Sequence, residues 1–118
     1  MAMETLIQEL ITEVRTLITA VGGTVSSTWT DGTKAVTTAG TAVALAASTT
    51  AKYVIITAKL GNTGIIVVGA SAVVAAESTR KGTPLSAGQA MGLPIDNLNE
   101  VYIDATVSGE GVTFSYLT

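Results

Sequence analysis

The chain has 118 residues, six Lys plus Arg against nine Asp plus Glu for a formal charge of -3, and neither His nor Cys. That length suits one compact domain with at most a short appendage, and the missing residue types exclude disulfides, thiolate or imidazole metal ligation, a Cys nucleophile and any Ser-His-Asp arrangement. Apolar residues make up 47% of the chain but aromatic ones only 4%, so the core has to be built from small and β-branched side chains, and self-association is an expected further source of burial.

Residues 1–22 are expected to form an amphipathic helix that oligomerises or anchors the chain. Met3, Ile7, Leu10, Val14, Leu17 and Val21 are separated by alternating steps of four and three residues. This is a heptad seam, with Ile7, Val14 and Val21 at a and Met3, Leu10 and Leu17 at d. Ile11 and Ile18 fall at e and widen the stripe beyond what a two-stranded zipper buries, which favours three chains. These eight side chains are the expected oligomer interface. Glu4 and Glu9 lie toward the positive end of the helix dipole, and Gly22-Gly23 supply a helix terminator. Four threonines and the like charges Glu9 and Glu13 weaken the isolated helix, so its stability has to come from burying the seam, at about 1.5–3 kcal/mol per side chain before entropy. The same stripe would also serve a helix folded back on its own domain.

Residues 23–33, rich in Gly, Ser and Thr, read as a linker ending in a turn at Asp31-Gly32. Trp29, the sole Trp, is expected to pack at the junction of helix and domain or to contact a partner protein. From residue 34 to 118 the period changes to two. Val43 and Leu45 alternate with Ala, Tyr53 to Ile56 and Ile65 to Val68 form two-sided buried runs, and Met91, Leu93 and Ile95 alternate. Val101, Ile103, Ala105 and Val107 oppose Tyr102, Asp104 and Thr106, and Val112, Phe114 and Tyr116 close the chain. Turn signals stand at 61–64, at Pro84 with 86–88, at 96–97 and at 108–111. The pattern predicts a mainly β protein: an antiparallel β-sandwich or small jelly roll of about seven or eight strands, preceded by a helix forming a trimeric coiled coil.

Catalytic chemistry is not expected. Asp96, Glu100 and Asp104 are the densest carboxylates, but they scatter along a strand, Asp96 in a turn and Asp104 facing outward beside Tyr102. No calcium loop, phosphate-cradling loop or dinucleotide fingerprint is present, so neither a metal nor a cofactor is expected. Dispersed basic residues provide no nucleic-acid footprint, and the longest apolar runs, 42–47 and 65–70, fall short of the ~20 residues that span a bilayer. The N-terminus lacks the basic segment of a signal peptide. Arg80 and Lys81 are the one local basic pair and a possible partner contact.

The segments TAGTAVALAAS (38–48), KYVIITAKLGNTGIIVVGAS (52–71) and GTPLSAGQAMGLPIDNLNEVYIDATVSGEGVTFSYL (82–117) resemble the small all-β virion proteins of tailed bacteriophages: head-decoration, capsid-cement and head-fibre proteins. The carriers are the Y-V-I-I-T strand, the N-T-G-I-I-V-V-G hairpin, the P-L-x-x-G turn before L-P-I, and the L-x-x-V-Y-I-D strand with its Gly-bounded hairpin. The resemblance implies a homotrimer on the capsid exterior whose partner is the major capsid protein, with no nucleic-acid or membrane contact. Similar domains occur in tail and fibre components, which implies as alternative a trimeric module that binds a host receptor or glycan.

Overall fold

The computed structural model describes residues 2–20 and 28–118. The seam position Val21, the Gly22-Gly23 terminator and residues 23–27 of the expected linker lie outside the described residues, and for Leu17 and Ile18 only the backbone is described. The chain is mainly β, with two antiparallel four-stranded sheets behind one N-terminal helix, α1 (Ala2–Ala20).

The first sheet has the order β1 (Trp29–Ala35), β8 (Gly111–Leu117), β3 (Tyr53–Ala58), β6 (Ala90–Pro94). The second has the order β2 (Val43–Ala44), β7 (Tyr102–Ala105), β4 (Ile66–Gly69), β5 (Thr83–Leu85). Between them lies a core of small aliphatic residues, Leu45, Val54, Ile56, Ile66, Ile103 and Val112 among them, with Phe114 as its one Phe. Val54 and Ile56 alternate inward from β3, as the period of two demands.

Several expectations are corrected. Residues 29–33 are not linker but the greater part of β1, and Asp31-Gly32 is not a turn: Asp31 pairs with Ser115 and Gly32 with Phe114. The β-domain therefore starts at Trp29 rather than at residue 34. The reason is packing, because a Cβ on Gly32 would run into the ring of Phe114; the glycine is there to let that ring lie across the strand. β3 is buried on one side only, with Tyr53 and Ile55 exposed on the other. Pro84, expected in a turn, sits inside β5, which is tolerated because β5 is an edge strand. β7 ends at Ala105, which leaves Val107 exposed in the following turn.

Asp104 is the largest correction. It does not face solvent but is fully buried. One carboxylate oxygen accepts the N–H groups of Gly40 and Ala105, both at 2.9 Å, and the other accepts that of Ala75 at 2.8 Å. The loop after β1 and the long connection after β4 both fold over the outer face of the second sheet and are tied to it by this side chain. Val67, Val73 and Ala75 form a second small cluster beneath that cover.

Opposite the helix end, the 61–64 turn is stitched to the hairpin before β8. The Glu110 carboxylate accepts the N–H of Thr63 at 2.6 Å and of Gly64 at 2.8 Å, and the Thr63 hydroxyl at 3.0 Å. The two backbone donors hold the Glu110 carboxyl below its ordinary range, with the Thr63 hydroxyl adding to them and desolvation opposing. A lowered folded value means that this contribution to stability is present above the unfolded value and is lost as pH falls through the folded one. The melting temperature of the wild type should therefore exceed that of Glu110→Gln at neutral pH, with the gap closing in acid. Thermal melts of both proteins across the acid range check this, and a gap that stays constant with pH would refute it.

Candidate functional site

The apolar stripe of α1 is open. Met3 is 73% exposed and Leu10 63%, and Ile7, Ile11 and Val14 lie between 40% and 50%. Leu6, at position g and absent from the expected interface, is 63% exposed and extends the stripe on the side opposite Ile11. Among the described side chains of the helix, residues 2–15, none is buried against the β-domain. Over residues 2–15 the stripe is thus not folded back on the β-domain. Six apolar side chains on one helix, left in water, are a surface that association would cover.

The two sheets differ in their outer faces. Loops cover that of the second sheet, as described, whereas among the described residues that of the first carries no such cover. The strand register places its residues in rows. Trp29, Leu117, Tyr53 and Pro94 form the row at which β1 begins; Asp31, Ser115, Ile55 and Gly92 form the next; Thr33, Thr113, Thr57 and Ala90 the third. A Cβ on Gly92 would collide with the Tyr53 ring and hydroxyl, so this glycine lets the tyrosine lie flat across the edge strand. Asp31 is occupied within the sheet, accepting the Ser115 hydroxyl at 2.6 Å.

Trp29, taken from the sequence as a junction or partner residue, is half exposed at the start of β1. Arg80 and Lys81 lie in the connection that covers the second sheet. The Arg80 Nε donates to the Ala75 carbonyl at 3.0 Å, holding its own loop, and Lys81 is exposed, its backbone bridged to Val74. The structure does not bring this pair together with Trp29 or the helix stripe into one site.

Asp96, Glu100 and Asp104 also separate. Asp104 points into the loops over the second sheet, while Asp96 and Glu100 are exposed at the rim of a groove of about 570 Å³ between the β6 and β5 edges. Val68, Met91, Leu93 and Ile95 line its floor. Among the described residues no cluster of acidic side chains is placed to hold a metal ion, and no helix is long and apolar enough to cross a membrane. Sequence reasoning missed the Tyr53 and Ile55 surface because an apolar run of four reads as buried on both faces. Gly92, opposite Ile55 in an otherwise alternating strand, was the available signal that something lies across it.

Compared with known proteins, the chain matches no family model, no curated protein and no solved structure.

Proposed function

We propose that the protein is a structural component of a bacteriophage virion: a homotrimeric decoration protein, of cement or head-fibre type, that binds the outer surface of the assembled capsid and stabilises the head. The observation that carries this reading is the helix stripe, which over residues 2–15 the β-domain leaves uncovered and whose heptad spacing with apolar flanks at e and g suits three chains. The resemblance of the 38–117 region to phage head proteins supplies the context. In this reading α1 forms the trimer and each β-domain touches the major capsid protein without catalysis, cofactor, nucleic acid or membrane.

Symmetry provides the mechanism. A trimer seated on a three-fold makes each weak contact three times, and the second and third contacts form at the effective concentration set by the first. Modest contacts then bridge neighbouring coat subunits strongly enough to resist heat. The alternative, a tail or fibre module that binds a host receptor or glycan, would use a loop tip. The loops at the end of the sheets opposite Trp29, at 59–64, 86–89 and 106–110, carry no aromatic residue on which a sugar could stack, so the cement reading is favoured.

Charged residues make up only 13% of the chain, so capsid binding should depend weakly on salt. Raising salt from about 0.1 M to about 1 M shortens the screening length from about 10 Å to about 3 Å and should leave co-sedimentation with assembled capsids nearly unchanged. The bound capsids should melt at a higher temperature. Binding lost at high salt would assign the contact to ion pairs such as those Lys81 could make. No capsid binding at either salt, with binding to host cells or their polysaccharide, would replace cement by the receptor-binding module.

A further inference from the structure

We infer that the outer face of the first sheet is a second self-contact of the oligomer: the Trp29, Leu117, Tyr53, Pro94 row, with Ile55, packs against the same row of neighbouring copies close to the helical seam. This rests on the proposed association through α1. Among the described residues this is the sheet surface left bare, and its apolar character is graded. Its first row contains no charge, the second has Asp31 tied to Ser115, and the third is largely threonine. The apolar end is the end at which the chain arrives from the helix.

Area argues for a tethered copy over an independent partner. Trp29, Ile55 and Tyr53 are 50%, 38% and 37% exposed, which for side chains of this size leaves about 250–300 Å² open. A free-standing interface buries about 800 Å² per partner, so this patch alone would hold nothing tightly. It does suit a copy that is already held nearby. Ala20 and Thr28 are eight residues apart, a span of at most ~28 Å, and bundled helices pack about 8–10 Å from one another. The Trp29 rows of associated chains are thereby confined to a small volume, at an effective concentration of order millimolar. In a ring with three-fold symmetry, residues near the axis meet their own equivalents, so a self-complementary apolar row fits that position.

Trp29 is the only Trp, so its emission reports on this face directly in the full chain. The expected result is a trimer by light scattering whose emission is blue-shifted and poorly quenched by acrylamide. In the Leu10→Asp, Leu17→Asp variant the emission should move to the red and quenching rise several-fold. A Tyr53→Lys variant should keep the trimer yet lose much of the quenching protection. A wild-type trimer with Trp29 as quenchable as in the dissociated variant would overturn the face contact and leave the helix seam standing. A Trp equally protected in both would also overturn it, because the ring would then be covered within one chain. A wild-type monomer would overturn the helix association and the face contact together.

Discussion

Replacing Leu10 and Leu17 together by Asp should turn the proposed trimer into a monomer and remove most of the helical circular dichroism, while the β-type signal persists. Both positions fall at d of the heptad, and Leu10 is 63% exposed in the single chain. Each buried leucine contributes about 1.5–3 kcal/mol, so two in each of three chains amount to roughly 9–18 kcal/mol per trimer, before the added cost of bringing carboxylates into an apolar seam. Over residues 2–15 the helix draws no support from burial on the β-domain. Its threonines lower its propensity, and no described side chain of residues 2–15 is buried on the β-domain, so dissociation and fraying should occur together. Light scattering at tens of micromolar with far-ultraviolet dichroism checks this. A wild-type chain that is monomeric with an intact helix would refute it, and so would a double variant that stays trimeric.

Asp104→Ala should be the most damaging single substitution in the β-domain. It orphans three backbone N–H groups, of Gly40, Ala75 and Ala105, of which those of Ala75 and Ala105 belong to buried residues. Bonds to a charged acceptor contribute about 1.5–3 kcal/mol each, and the unsatisfied donors keep their desolvation cost, so a loss of about 3–5 kcal/mol is expected. For a domain of this size that corresponds to a fall in melting temperature of roughly 15–30 °C. Asp104→Asn should lie between, since one amide oxygen can still accept but the amide nitrogen would face a donor. Urea denaturation of the three proteins gives the comparison. A loss under about 1 kcal/mol for the alanine variant would mean that the loops stay in place without the carboxylate.

These two residues mark how much of the protein was legible in its sequence. Leu10 belongs to a pattern that is purely local: the spacing of apolar residues along one helix determines which side chains share a face, whatever else the chain does. Strands β3, β4, β6, β7 and β8 are local in the same sense, because alternation or a short apolar run between Gly and Asn turns leaves few other conformations that bury those residues. Asp104 is different. Its position on β7 could be read from the period, and by that period it belongs on the outer face, where it lies; that this face would be roofed by the loops at 38–42 and 70–77 depends on the path of chain far away in sequence.

By itself, then, the sequence determined the class of fold, the helix with its apolar stripe and the smallness of the core, since each follows from side-chain type and spacing. Only the tertiary structure decided that residues 29–35 form a strand, because the segment WTDGTKA has no apolar alternation of its own and becomes a strand by pairing with β8 while Gly32 admits the Phe114 ring. It also decided which face of the first sheet stays bare. Tyr53 and Ile55 have the same composition signal as Val54 and Ile56, and what separates them is that the second sheet packs on one side and none of the described loops packs on the other. Burial is a property of pairs of surfaces, and a single strand's sequence specifies only one of the two.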